Sequence, residues 1–214
     1  MNEFFTFMGM GIEHVISFPE GYDHLLFILA LSAIYTFSDW RKVLMLVTAF
    51  TVGHSFTLLL TVYDFSPIPS SVIEWLIPLT ILIVCIMNFV IKIENKTIIT
   101  DSEILDLSNQ TKEVTSPLML RRYTIALFFG LIHGLGFANY LRQMLPNDLF
   151  SPLLGFNIGL EIAQIIIVLV GLLVGFLVIK FLKFSQNRWK IVLSTIVFVF
   201  ALHLFVMQSL ALFE

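Results

Sequence analysis

The sequence predicts an all-α helix bundle that crosses a membrane several times. Hydrophobic residues make up 58% of the 214 residues, charged residues make up 13%, and the mean hydropathy is +0.94. A soluble domain is about 45–50% apolar and about 25% charged. Several apolar stretches reach the ~20 residues that a helix needs to cross ~30 Å of hydrocarbon. The ~10-residue alternating segments of a membrane barrel are absent.

Hydropathy places six transmembrane helices along the chain, at roughly residues 23–38, 41–63, 71–92, 121–142, 152–180 and 188–211. The segment before the first helix is rich in Phe, Met and Ile, and it is predicted to form an interfacial or re-entrant helix that Pro19 and Gly21 end. This segment has neither a basic region nor a small-residue cleavage site, so we expect no removable signal peptide.

Lysine and arginine are concentrated in the connections on one side of the predicted bundle. The connections after the first, third and fifth helices are basic, whereas "DFSPIPSS" and "QMLPNDLFSP" on the other side contain no basic residue. Arg142, at the end of the fourth helix, is the one exception. By the positive-inside rule, the basic connections face the cytoplasm and both termini face outward.

The chain is expected to form one transmembrane domain built from two three-helix halves. The halves are residues 1–92 and 121–214, and a cytoplasmic linker at 93–120 joins them. The linker is polar and too short for a domain, so we interpret it as solvated chain without a separate function. Two halves of three helices enter from opposite faces, which is the topology of an inverted repeat, although the halves show no clear sequence match.

Ionisable side chains recur at one depth in the outer half of the predicted membrane. At 1.5 Å per residue from the outer helix ends, His54, His133 and Glu161 lie at a similar level. Asp23 and His24 begin the first helix at the outer face. A charged group near the membrane centre costs about 2.5–3.5 kcal/mol on the insertion scale, so these groups are expected to share a cation. All five are candidate metal ligands.

Further polar side chains are expected to support this site. Asn157, Glu161 and Gln164 have i, i+4, i+7 spacing and therefore share one helix face. The supporting set is Thr51, Ser55, Glu74, Asn157 and Gln164. The alternative interpretation is that the hydroxyls bond back to their own helix and that the nearby glycines only pack.

His14 is a further candidate ligand if the N-terminal segment folds into the membrane, and a surface histidine if it does not. His203 stands alone among apolar residues and is interpreted as a packing histidine. The single cysteine, Cys85, lies inside an apolar span and is also assigned to packing. Asn88 is a weaker candidate for an exit path.

Imidazole and carboxylate without thiolate form a ligand set for a borderline divalent ion, namely nickel, cobalt or zinc. Copper(I) would favour Cys or Met, and calcium or magnesium would favour oxygen alone. Protons compete with the metal for these ligands, so we expect binding to weaken as the outside becomes acidic. An inward-negative membrane potential would add about 4.6 kcal/mol per 100 mV for a divalent ion.

Five motifs, in order and over most of the chain, resemble the HupE/UreJ family of bacterial membrane proteins. They are "GIEHV...GYDHLLFILAL", "TAFTVGHSFTLLL", "IEWLIPLTILIVCIMN", "FFGLIHGLGFANYL" and "LLGFNIGLEIAQ". The resemblance implies a nickel or cobalt permease of the bacterial inner membrane, linked to hydrogenase or urease maturation. It also implies metal handling by the first motif, which corresponds to His14, Asp23 and His24.

The first motif departs from the family pattern. The family usually has His-x5-Asp-His, whereas eight residues separate His14 from Asp23 here. A second histidine-rich signature with an adjacent Glu, found in better-characterised nickel permeases, is absent from "LIHGLGFAN". These departures concern the position of His14 and the signature of the nickel permeases.

The favoured function is a secondary transporter and not an enzyme, with the metal as substrate. The alternatives are a membrane metalloenzyme, in which zinc activates water and Glu161 or Glu74 is the base, and a protein whose fold the metal braces. The expected partners are the metal ion and the lipid bilayer. Metalloenzyme-maturation proteins and a second copy of the chain are further candidates, and no nucleic acid is expected.

Overall fold

A computed structural model describes residues 3–17, 21–62, 68–91, 117–144 and 150–213. These ranges contain seven α-helices: α1 Glu3–Ile16, α2 Tyr22–Ser32, α3 Trp40–Val62, α4 Ser70–Val90, α5 Pro117–Met144, α6 Phe150–Phe181 and α7 Gln186–Phe213. A short 3-10 helix at Phe37–Asp39 leads into α3. Within the described ranges there is no strand, and the all-α prediction is confirmed.

Four of the described helices are long and apolar enough to cross a membrane: Phe37–Leu60, Ser70–Val90, Phe150–Phe181 and Gln186–Leu212. The outer faces of α6 and α7 expose large apolar side chains, among them Leu173, Phe176 and Val199. Such continuous apolar surfaces are typical of helices that face lipid. The chain is therefore a polytopic membrane protein.

The first predicted span differs from the structure. The sequence predicts one helix over 23–38, whereas α2 ends at Ser32. A capping box lies four residues beyond the end of α2, at the start of the 3-10 helix. In it, Thr36 Oγ1 donates to Asp39 Oδ2 at 2.9 Å, and the Thr36 amide donates to the same oxygen at 3.3 Å. Lys42 Nζ donates to the other carboxylate oxygen at 3.0 Å. This pairing begins the 3-10 helix that leads into α3, so the predicted first helix extends six residues beyond the end of α2.

Helices α1 and α2 lie one after the other along α6. A Cβ added to Gly155 or Gly159 would meet the backbone of Phe4 or Met8 in α1, and one added to Gly171 would meet Leu29 in α2 at 3.4 Å. The order along α6 matches the order along the chain, so α1 and α2 both run parallel to α6. Their 14 and 11 residues correspond to about 21 Å and about 17 Å of helix. Together they have the length of one membrane-crossing helix, with a break in the middle.

Helices α3 and α5 approach each other through glycines. A Cβ on Gly53 would clash with the Leu127 carbonyl, and one on Gly130 would clash with the Phe50 carbonyl. Small residues permit this backbone contact, which is a common basis of helix association in membranes. As a result, the two helix segments that carry His54 and His133 lie side by side.

Helices α4 and α7 pack in opposite directions. Trp75 Nε1 donates to Ser209 Oγ at 2.9 Å near one end, and Asn88 Nδ2 donates to Ser194 Oγ at 3.1 Å near the other. The described helices thus pair α1 and α2 with α6, α3 with α5, and α4 with α7. An in-plane two-fold axis would produce the same pairing, which is compatible with the inverted repeat; the division into halves stays a prediction.

The predicted linker at 93–120 falls mostly outside the described residues. Its last four residues, 117–120, already belong to α5, so that helix begins four residues before the predicted boundary at 121.

Candidate metal site

Four histidines from four different helices meet inside the bundle. His14 lies in the last turn of α1 and His24 in the first turn of α2, while His54 lies in α3 and His133 in α5. The His24 ring is central, with centroid distances of 4.7 Å to His14, 5.6 Å to His54 and 5.4 Å to His133. The His14 and His54 centroids are 6.0 Å apart. The four imidazoles therefore form one compact group, called here the histidine cluster.

Five ring nitrogens of the histidine cluster are buried without hydrogen-bond partners. One nitrogen from each of His14, His24 and His54 lies within 4.8 Å of the other two. The unpartnered atoms are Nε2 of His14, His24 and His133 and both ring nitrogens of His54. A buried polar atom without a partner costs about 1–3 kcal/mol. Several such atoms at one point indicate a site built for a ligand.

Hydrogen bonds fix the tautomers of two of these rings. His24 Nδ1 lies 2.9 Å from Asp23 Oδ1, and His133 Nδ1 lies 2.9 Å from the carbonyl oxygen of Phe129. Carboxylate and carbonyl oxygens only accept, so Nδ1 is the protonated nitrogen in each neutral ring. The lone pair is then on Nε2, the atom that has no partner. Metal-binding histidines are oriented in the same way by carboxylates and backbone carbonyls.

The break in the first span brings His14 and His24 together. The Gly21 amide donates to the Ser17 carbonyl at 2.7 Å, and a Cβ at Gly21 would collide with the Val15 carbonyl, so only glycine fits. The C-terminal end of α1 carries partial negative charge and favours a cation. The N-terminal end of α2 is partially positive, and the Asp23 carboxylate in its first turn offsets that charge.

Aromatic rings surround the histidine cluster. The Phe137 ring lies 3.9 Å from His14 and is stacked on Phe156 at 5.0 Å, and the Phe50 ring lies 5.1 Å from His133. Apolar walls of this kind keep water from competing for the ring nitrogens.

The polar set on α3 and α6 lies in a different place from the histidine cluster. Thr48 Oγ1 donates to Glu161 at 2.8 Å, Thr51 Oγ1 donates to Gln164 at 2.9 Å, and Ser55 Oγ donates to Asn157 at 2.7 Å. Five of these side chains line a cavity of about 430 Å³ between the two helices: Thr48, Thr51, Ser55, Asn157 and Glu161.

The prediction of one shared site for Glu161 and the histidines therefore needs correction. The two groups do lie on neighbouring helices, but Glu161 faces α3 from one side of α6, while Phe156 faces His14 from another. Depth along a helix does not determine the direction around its axis, so side chains at equal depth need not share a site. Its supporting residues Thr51, Ser55, Asn157 and Gln164 belong with Glu161.

The structure also shows where the remaining polar residues considered in the sequence lie. Glu74 lines a cavity of about 500 Å³ that reaches His14, Asp23, His24 and His133. His203 is exposed on α7, outside the histidine cluster. Asn88 is buried, and its amide donates to the Ala30 carbonyl at 2.7 Å. Cys85 is buried.

Three groups near the histidine cluster were not predicted from the sequence. Phe137 follows His133 by four residues, so helical spacing places both side chains on one face. An apolar residue does not by itself indicate a metal site. Gln208 lines the same cavity as Glu74, but it lies in an apolar stretch of α7 in which Ser209 is its one polar neighbour. The Phe129 carbonyl is a backbone group that no sequence pattern reveals.

The fold and the histidine cluster define a class, that of α-helical membrane proteins with a buried, imidazole-rich site. A family model described as "HupE / UreJ protein" matches residues 1–209. The chain belongs to the HupE/UreJ family, which is related to nickel and cobalt transport across membranes. No curated protein and no solved structure matches it.

Replacing Asp23 with asparagine tests the orientation of His24. The amide oxygen of asparagine could still accept the Nδ1 proton, but it lacks the charge that makes His24 a stronger ligand. Loss of such a partner typically weakens metal affinity about 10–100-fold, and we expect a loss in this range for Ni²⁺. Isothermal titration calorimetry of the purified protein measures it, and an unchanged Kd would contradict the role of Asp23.

Replacing Glu161 with glutamine tests the separation of the two polar groups. Glutamine keeps an oxygen that can accept from Thr48, and no atom of Glu161 is part of the histidine cluster. We therefore expect the Kd for Ni²⁺ to stay within about twofold of the unmodified protein, since sites without shared partners are nearly independent. A large loss of affinity would place Glu161 among the ligands after all.

Proposed function

We propose that this chain is a permease that carries a divalent transition-metal ion through the histidine cluster. Nickel is the favoured substrate because of the family, and cobalt and zinc suit the same ligands. The observation that carries the proposal is the group of buried, unpartnered imidazole nitrogens contributed by α1, α2, α3 and α5.

The ligand chemistry supports a borderline ion. The cluster offers neutral imidazole nitrogens and one nearby carboxylate, and this combination suits Ni²⁺, Co²⁺ and Zn²⁺. Among the described residues the free cysteine, Cys85, is buried in α4 and is not one of the groups that line the cavity. We assign His14, His24, His54 and His133 as ligands, and Asp23 as the residue that orients His24.

The architecture supports transport. Broken transmembrane helices are a common way in which transporters place helix ends at an ion site near the middle of the membrane. Here the break lies between His14 and Asp23, two members of the proposed site. We propose that the ion binds from the outside of a bacterial inner membrane and is released inward when the two halves of the bundle move against each other.

Metal uptake by reconstituted protein tests the function. Proteoliposomes with an inside-negative potential should accumulate Ni²⁺ above protein-free liposomes, and less so at acidic external pH because protons compete for imidazole. Absence of accumulation for Ni²⁺, Co²⁺ and Zn²⁺ alike would remove the proposal. Tightly bound, stoichiometric zinc without any transport would favour the metalloenzyme alternative.

A further inference from the structure

The cavity that reaches the histidine cluster has a carboxylate at its other end. It has a volume of about 500 Å³, and Asp23, Glu74, Gly136 and Gln208 are among its lining residues. A second cavity of about 170 Å³ shares Asp23, Glu74 and Gln208, so the two adjoin at these side chains. None of the described residues that line either cavity is a lysine or an arginine.

The helix ends show where this passage begins. Glu74 is four residues from the start of α4, about 6 Å at 1.5 Å per residue, and His54 is eight residues from the end of α3, about 12 Å. The end of α3 and the start of α4 lie on the same side of the bundle. Glu74 is therefore nearer to that surface than the histidines by about 6 Å, and it is exposed, whereas His24 and His133 are only 2% and 1% exposed.

Gly136 keeps the passage open. The other glycines of α5 face backbone: a Cβ on Gly134 would lie 2.9 Å from the His54 Cα. By contrast, a Cβ on Gly136 would meet only side-chain atoms of Ile77 and Ile73, at 2.9 and 3.7 Å. Gly136 is exposed and lines the cavity, so its missing side chain leaves space beside the flexible side chains of α4, whereas the neighbouring glycines of α5 meet backbone.

Pro78 removes the usual helical hydrogen bond to the backbone carbonyl of Glu74. Proline has no amide hydrogen, so the helical bond that would end on the carbonyl of Glu74, four residues earlier, cannot form. Pro78 is buried and lines the smaller cavity together with Glu74. A carboxylate on the same residue as a carbonyl that lacks this helical bond suits a cation that still holds much of its water.

The size of the passage fits a hydrated ion. Six waters at about 30 Å³ each occupy roughly 180 Å³, well below the volume of the larger cavity. From these observations, and resting on the proposed function, we infer that Glu74 captures the hydrated metal ion at the outer mouth of this passage. The ion then passes Gly136 and exchanges its water for the unpartnered nitrogens of His24 and His133. Glu74 sets the rate and selectivity of capture and is not a ligand in the bound state.

Cysteine accessibility tests the passage. The Gly136→Cys variant should react with a membrane-impermeant, cationic methanethiosulfonate added outside spheroplasts. The modification should abolish Ni²⁺ uptake, and saturating Ni²⁺ should slow it. Cys85 is buried and does not interfere. The matched control is Val52→Cys. Val52 lies on an exposed face of α3 and lines the cavity between α3 and α6. Modification of this cysteine should leave Ni²⁺ uptake unchanged.

Glu74→Gln tests the capture role. The lost charge should raise the KM for Ni²⁺ uptake by about tenfold, a typical size for electrostatic capture, without lowering the maximal rate. The Kd of the solubilised protein for Ni²⁺ should be unchanged. A tenfold loss of affinity, equal to the change in KM, would make Glu74 a ligand and overturn the inference.

Two results for the Gly136→Cys variant would also overturn the inference. One is modification of the cysteine without loss of uptake, and the other is absence of reaction with the methanethiosulfonate from either side of the membrane. The purified protein separates this inference from the proposed function. If the unmodified chain does not transport, the proposed function fails. Protection of Gly136→Cys by Ni²⁺ in the purified protein would still support a passage that leads to the histidines.

Discussion

The His54→Ala variant is expected to lose Ni²⁺ binding and uptake almost completely. His54 is the ligand whose two ring nitrogens are both buried and unpartnered, and its side chain is 0% exposed. Removal of a metal ligand should weaken affinity more than removal of a residue that only hydrogen-bonds to a ligand. We therefore expect the affinity for Ni²⁺ to fall by more than about 100-fold.

The stability of this variant should separate ligand loss from misfolding. In the empty site the His54 ring nitrogens make no hydrogen bond that alanine would remove, but loss of the buried ring leaves a cavity, so we expect a lower Tm without metal. Ligand at about 100 times its Kd stabilises a protein by about 2.7 kcal/mol. Ni²⁺ should therefore raise the Tm of the unmodified protein and leave that of His54→Ala unchanged.

The matched control for His54 is His203→Ala. His203 is exposed on α7 and lies outside the histidine cluster, so its loss should preserve both uptake and the Ni²⁺-induced rise in Tm. Equal effects of the two substitutions, or a full Ni²⁺-induced Tm rise in His54→Ala, would show that the cluster is not the metal site.

Two glycines of α1 should respond to alanine in opposite ways. A Cβ at Gly11 would clash with the backbone carbonyl of Phe156 and come within 2.9 Å of the Leu160 amide, and backbone atoms cannot rotate away. Overpacking of this kind costs about 1–3 kcal/mol or more. At Gly9 nothing lies within 4 Å of the added Cβ, so alanine should stabilise the helix by about 0.5–1 kcal/mol.

Thermal unfolding in detergent, followed by circular dichroism, measures both effects. Gly11→Ala should also weaken Ni²⁺ binding, because α1 must move away from α6 and His14, three residues later, moves with it. Gly9→Ala should bind Ni²⁺ normally. Equal Tm values for the two variants would contradict the close packing of α1 on α6.

Hydropathy located most of the helices with small errors. The predicted 41–63 and 188–211 correspond to Trp40–Val62 and Gln186–Phe213. Long apolar runs locate spans well because lipid requires every backbone group to be paired within the segment. The first span was the exception, since its pieces are divided by local interactions: the Gly21 contact with α1 and the Thr36–Asp39 capping box.

The sequence by itself determined that the chain is an all-α membrane protein and which side chains are too costly to bury alone. Composition and hydropathy carry that information because the transfer of each residue into lipid is a local property. Only the tertiary structure decided which polar groups meet. It joined His14 to the cluster through a broken helix and assigned Glu161 to a separate cavity, because the rotation of each helix is set by glycine contacts with its neighbours.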